Sequence, residues 1–204
     1  PMGRFDFSYN RKNMLAYLIS GAAVAAAGMA GYQSMAPTAQ WYGRTFIGLQ
    51  RGSKEIALTY DDGPNDPHTF HLLDVLAKHE VRATFFMIGR YAQKRPDIAQ
   101  QVVKAGHMIG NHTFTHPALA WQSAAKIKSE LEDCSRALDD AIGAHSNLFR
   151  PPFGSRRPVV LRTARDLGLV PVMWNVTCYD WNAKYSQSIE QKCARQLRGG
   201  DPGD

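Results

Sequence analysis

Apolar and polar positions trade places along this chain in short blocks, and the blocks predict strands and helices in turn. Glu55 to Tyr60 reads as a strand, and His68 to His79 gathers Leu72, Leu73 and Leu76 on one side of a helix. Arg82 to Ile88 is an apolar, aromatic run suited to a buried strand, followed by a helix that opens at Pro96-Asp97 and stops at Gly106. His107 to Asn111 is a third strand. The clearest helix runs from about Gln122 to Ile142, where Ile127, Leu131, Cys134, Leu138 and Ile142 recur every three or four residues before Gly143. Ser146 to Arg150 then reads as strand, Pro158 to Leu167 as helix, Leu169 to Asn175 as strand, and Ser186 to Arg198 as a last helix stopped by Gly199-Gly200. Five strand-helix units in a row predict an α/β fold of parallel strands covered by helices, either doubly wound or a barrel. In both, chemistry gathers where strands end and loops begin.

Ahead of these units the pattern changes. From Met14 to Tyr32 no charged residue occurs, and Arg11-Lys12 stand just before the run. That layout fits a secretory signal or an uncleaved signal anchor whose basic end stays in the cytoplasm. Residues 1–32 are therefore a signal peptide or anchor, with membrane attachment through residues 14–32 and an extracytoplasmic location for the rest. A buried soluble helix is the competing reading, weakened by Gly21, Gly28 and Gly31. Ala25-Ala26-Ala27 offers small residues of the kind that precede a cleavage site. Residues 33–54, with Pro37, Gly43, Gly48 and Gly52, read as a connector into a domain over 55–204.

Composition narrows the partners. The chain has 204 residues, 44% hydrophobic and 21% charged, which suits one globular core and excludes a disordered or repetitive chain. A net charge of +6 raises the question of nucleic acid, but the basic residues are scattered in short groups such as Lys94-Arg95 and Arg156-Arg157. Without a clustered basic face no nucleic-acid partner is predicted, and attraction to anionic envelope polymers is the milder consequence. Cys134, Cys178 and Cys193 lie far apart with no C-x-x-C, so at most one disulfide forms, and Cys134 reads as a small buried residue.

Polar residues with chemical potential stand at four strand ends. Thr59-Tyr60-Asp61-Asp62-Gly63-Pro64 places two carboxylates side by side, which is costly unless a cation or separate partners compensate. Neighbours in extended chain point to opposite sides, so Asp61 and Asp62 are expected to serve different partners. Asn111-His112-Thr113-Phe114-Thr115-His116-Pro117 carries two imidazoles within reach of one ion, in a loop because Pro117 disfavours helical geometry at His116. Asp, His and His leave coordination positions open for water and substrate, as a hydrolytic zinc site requires. Arg150-Pro151-Pro152-Phe153-Gly154 offers a fixed cation and a rigid wall, and Trp174 to Asn182 sets aromatic rings beside Asp180.

In this order the motifs resemble the polysaccharide deacetylase family, also called carbohydrate esterase family 4 or the NodB-homology domain, over about residues 55 to 198. The resemblance implies a partial, distorted (β/α) barrel and metal-dependent hydrolysis of N-acetyl, or alternatively O-acetyl, groups from a polysaccharide such as chitin oligomers or peptidoglycan. It implies one divalent ion, with Zn2+ first and Co2+ or Ni2+ as alternatives, held by Asp62, His112 and His116. Asp61 would be the general base, Arg150 its orienting residue, and Asp180 the carboxylate that orients a catalytic histidine. Pro151 and Phe153 would form one wall of the substrate groove and Trp181 the other. The family's later Leu-x-His segment has no counterpart here, since His145 is the last histidine and precedes the Arg-Pro-Pro motif. On that ground the chain reads as a fragment lacking two strand-helix units, with open edges on its first and fifth strands. A non-catalytic carbohydrate-binding fragment and a metal-free amide hydrolase of the same superfamily are the competing readings.

Overall fold

The computed structural model describes residues 7–49, 53–177, 179–182 and 188–197. Cys178, Ser186, Arg198 and Gly199-Gly200, each singled out above, lie outside them. Five parallel strands form one sheet: β1 (Leu58–Gly63), β2 (Ala83–Met87), β3 (Met108–Asn111), β4 (Leu148–Phe149) and β5 (Val170–Pro171), in the order β1-β2-β3-β4-β5. A doubly wound sheet reverses its strand order partway. Here each strand pairs with the next in sequence, so the sheet is the wall of an unclosed barrel. Among the described residues seven α-helices accompany it: α1 (Phe7–Met35), α2 (His68–Lys78), α3 (Gly89–Lys94), α4 (Pro96–Lys104), α5 (Ala124–Ile142), α6 (Pro158–Asp166) and α7 (Ile189–Leu197).

Helix α5 joins two halves of the core. Its first turns carry Ile127 and Leu131 into a cluster with Leu119, Phe149, Val160 and Leu169, while Cys134 and Leu138 enter a second cluster with Phe85, Met87, Val102 and Ile109. Ser123 caps it, its Oγ accepting from Lys126 N at 3.2 Å, which is why the helix starts after Gln122. Burial pushes the free Cys134 thiol up to about 12. Helix α3 is too short to show a period, and the sequence pattern did not announce it. It begins at Gly89 because a Cβ there would lie 2.8 Å from the Cα of Cys134, so α3 packs on α5 only through a bare backbone.

Three strands depart from their expected bounds. β1 runs on through Asp61 and Asp62 rather than ending at Tyr60. Its register with β2 is regular from Leu58↔Ala83 to Tyr60↔Phe85 and then jumps to Gly63↔Met87, so one extra residue bulges between Tyr60 and Gly63. β4 spans two residues of the expected Ser146 to Arg150. β5 is short, Val170–Pro171, although Val172 N still donates to Phe149 O at 2.7 Å; the N–H that Pro171 lacks would face the opposite edge. Beyond it the partner comes from the connector: Phe46 N donates to Pro171 O at 2.8 Å and Met173 N to Phe46 O at 2.7 Å. The edge expected to be open on the fifth strand is thus covered at this point. Residues 33–54 carry that bridge and further bonds to the domain described below.

Candidate active site

The bulge in β1 decides how the two adjacent carboxylates are used. Asp62 sits in the left-handed region at φ 68, which turns its side chain away from that of Asp61. Arg150 Nη1 donates to Asp61 Oδ1 at 2.8 Å. Asp62 Oδ1 instead lies 3.0 Å from His116 Nε2 and 3.5 Å from His112 Nε2. Asp61 Oδ2 faces one of the same imidazoles, 4.0 Å from His112 Nε2. The two carboxylates therefore have separate partners and share one space.

Both imidazoles come from the loop after β3, but they are held differently. His112 is 2% exposed, and its Nδ1 donates to the carbonyl of Arg150 at 2.7 Å. A carbonyl only accepts, so in the neutral ring Nε2 carries the lone pair, aimed at Asp62. His116 follows a left-handed turn at φ 65, consistent with the bar that Pro117 sets on helical geometry. Where the ring nitrogens of His112 and His116 carry protons, their hydrogen bonds hold the Asp62 carboxyl well below the usual carboxylate range, so it is ionised near neutrality. A lone pair facing a carboxylate is unfavourable unless a proton or a cation lies between them. The ligand atoms of Asp62, His112 and His116 all fall within 4.8 Å of one another. Ligands of a tetrahedral ion at about 2.1 Å stand about 3.4 Å apart, so this donor set fits one divalent ion.

Arg150 is the central strut. It is 3% exposed, and its guanidinium donates to Thr59 Oγ1 at 2.9 Å, Val172 O at 3.3 Å and Met173 O at 3.1 Å as well as to Asp61. Its carbon centre lies 4.1 Å from the Phe86 ring centroid. Desolvation lowers its pKa and Asp61 opposes the shift, yet a guanidinium stays charged. From β4 it thus ties β1 to the chain beyond β5.

Sequence reasoning missed the groups that shape the histidine loop. Asn111 is fully buried; its Nδ2 donates to Leu131 O and Ser135 Oγ, and its Oδ1 accepts from Thr113 N at 2.9 Å. Glu130, 1% exposed, accepts from Thr115 N at 2.7 Å and Thr115 Oγ1 at 2.6 Å and pairs with Lys126 at 2.7 Å. Burial pushes the Glu130 carboxyl up, but these bonds outweigh it and the group sits below its ordinary range. A signal was available: Glu130 is three residues after Ile127 and four before Cys134, on the buried stripe of α5.

The remaining predicted residues are less tightly gathered. Pro151 is buried, while Phe153 is 59% exposed and packs edge-on against His116 with centroids 4.7 Å apart. Trp181 is 70% exposed, against Tyr179 at 5.4 Å. Asp180 is exposed, and none of the bonds above reaches it; burial and then its charge raise the Tyr60 pKa. His145 is bound to Asp139 at 3.0 Å at the end of α5, so it is no partner for Asp180.

Comparison with known proteins places the chain in a family. The polysaccharide deacetylase family profile matches residues 48–172, and the chain belongs to that family. A chitooligosaccharide deacetylase of Sinorhizobium fredii is 37% identical over 160 residues, 78% of this chain and 74% of the relative. A peptidoglycan-N-acetylglucosamine deacetylase of Bacillus cereus is 36% identical over 135 residues, 66% of this chain and 49% of the relative. Among solved structures, a family 4 carbohydrate esterase from Streptomyces lividans in complex with acetate superposes with a TM-score of 0.63 at 33% identity, covering 73% of this chain and 72% of that one. A mutant of a Bacillus anthracis CE4 family pseudoenzyme, with restored enzymatic activity, gives 0.71 at 31%, covering 74% and 56%. The chain spans about half the length of some curated relatives, 53% of a Geobacillus stearothermophilus protein of 30.6 kDa and 49% of the Bacillus cereus enzyme.

Proposed function

We propose that this chain carries the site of a metal-dependent polysaccharide deacetylase that hydrolyses N-acetyl groups of an envelope or environmental glycan, such as chitin oligomers or peptidoglycan, and releases acetate. One observation carries the reading: Asp61 and Asp62 are adjacent in sequence, yet one is bonded to Arg150 and the other faces two imidazoles. A binding module has no use for a second, separately oriented carboxylate. A metal-free amide hydrolase has none for Asp62, His112 and His116 as a set.

Asp62, His112 and His116 would hold the ion, Zn2+ before Co2+ or Ni2+, and when bound it supplies Lewis acidity toward the acetyl carbonyl and its attacking water. Asp61 takes the proton of that water on Oδ2, because Oδ1 is engaged by Arg150. Arg150 holds the carboxylate in one orientation, and its own four acceptors keep it from swinging. The buried carbonyl of Arg150 fixes the His112 ring through Nδ1. Phe153 forms one wall against His116, and Trp181 offers a ring face to sugar C–H groups on the other. Asp180 awaits a proton-donating partner from outside the described residues. The substrate class calls for a site outside the cytoplasmic membrane, with residues 14–32 as export signal or anchor.

The test is acetate release from acetylated chito-oligomers and from peptidoglycan, run beside metal analysis. Asp61→Asn should lose about 10²-fold to 10⁴-fold in rate and keep one ion per chain. His116→Ala should lose the ion. Equal turnover by both variants and the wild type would refute the assignment.

A further inference from the structure

The outer end of α1 and the wall of the candidate site form one bonded unit. Arg156, 1% exposed, donates through Nη2 to Ala36 O at 2.6 Å and Ala39 O at 2.8 Å, through Nη1 to Gly154 O at 2.9 Å, and through its backbone N to Ser34 O at 2.9 Å. A helix leaves its last carbonyls without partners and its C-terminal end negative. Here the Arg156 backbone N takes the helix carbonyl of Ser34, and its buried guanidinium, bonded to Ala36 O and Ala39 O just past the helix, places a positive charge at that end. Gly154, at φ 67, is where a Cβ would meet Met35 O at 3.3 Å and Met173 Cε at 3.1 Å, so no side chain separates helix end from wall. Phe153, one residue earlier, packs on His116. Tyr42 Oη adds a bond to Ala30 O at 3.1 Å, and Trp41 N one to Gln33 Oε1 at 3.2 Å.

Residues 14–32 of α1 are exposed. Asn13–Met35 is 23 residues long with mean hydropathy 1.6 and is 0% buried. At about 1.5 Å per residue it reaches about 35 Å, enough for a hydrocarbon layer of about 30 Å. Arg11-Lys12 precede it, and exposed Tyr32 and Trp41 mark the other end, where aromatic rings favour the lipid-water boundary. A cut just after residue 35 would strip Ser34 O from the Arg156 backbone N, and a cut beyond Ala39 would leave the buried guanidinium with Gly154 O alone among its side-chain partners. Ala25–Ala27 lie inside an unbroken helix continuous with the docked end.

We propose that α1 is a retained anchor in a phospholipid bilayer and that Arg156 locks its outer end to the Pro151–Gly154 wall. The site is thereby held at the membrane face and acts on acetylated glycan presented there. The substrate clause rests on the deacetylase reading; the anchor and the lock do not.

The test uses the full chain with a C-terminal tag, in its native membranes and in vesicles of phosphatidylethanolamine and phosphatidylglycerol. The anchor predicts resistance to carbonate extraction and an intact mass that includes residues 13–35; a soluble product lacking them overturns it. The lock predicts slow amide exchange over 34–46 and 153–157 in the wild type, at least ~10-fold faster in Arg156→Gln, with the β1-β2 ladder unchanged. Fast exchange there in the wild type overturns the lock even if the variant fails to fold. Acetate release and zinc content of the same membranes report on the deacetylase reading separately. Protein that is anchored, locked and zinc-loaded but inactive on vesicle-bound acetylated glycan overturns the substrate clause alone.

Discussion

The two sides of the sheet are held in place by different means. On the β1-β2-β3 side the backbone ladder sets positions: Thr84 to Met87 pair residue by residue with Met108 to Asn111, and His112 follows directly. On the β4-β5 side the strands are two residues each, and side chains do the holding. Arg150 bonds the carbonyls of Val172 and Met173, and Phe46 of the connector bridges the edge. A ladder spreads its load over many weak bonds, whereas a buried guanidinium concentrates it in one residue. The histidines proposed as ion ligands accordingly sit on the distributed side and the orientation of Asp61 depends on the concentrated one.

The sharpest way to break this contrast is Arg150→Met. Asp61 keeps access to solvent, so the cost lies mainly in the carbonyls of Val172 and Met173, each left without its donor at about 1–3 kcal/mol. Denaturant unfolding should show that loss, and amide exchange should quicken around residues 172 and 173 before the β1-β2 ladder. Uniform quickening would mean that the two sides are not held differently.

Asp61→Asn sharpens the contrast from the other direction. It keeps the acceptor for Arg150, so turnover should fall by about 10²-fold to 10⁴-fold while stability changes by less than about 1 kcal/mol. Next in size is Glu130→Gln, expected to cost about 1–3 kcal/mol through weakened bonds to Thr115 and Lys126. A carboxyl held below its ordinary range stabilises the fold above that range, and the contribution disappears as pH falls through the folded-state value. The wild type should therefore lose stability below about pH 4 more steeply than the variant, as melting temperature against pH would record. Trp181→Ala should be the smallest effect, with stability within about 0.5 kcal/mol and only the apparent affinity for longer oligomers reduced.

The strand-helix alternation was readable because periodicity is local: a buried face repeats within one element whatever lies beyond. So were the strand ends and following loops bearing Asp61, Asp62, His112, His116 and Arg150, since chain order alone sets them at successive strands. Alternation along an extended strand suggested that the carboxylates would diverge. The cause is instead the bulge and the left-handed Asp62, which depend on how β1 registers against β2.

What the chain order could not announce are bonds across long separations. Arg150 reaches Asp61 across 89 residues and Arg156 reaches Ala36 across 120. Glu130 turns from a helix position into the support of a loop once α5 packs beside β3. Residues 34–46 carry no period, so no element was predicted there. Such contacts are selected by the geometry of the closed core, which brings donors and acceptors together only after the local elements have formed, and so the tertiary structure alone decides them.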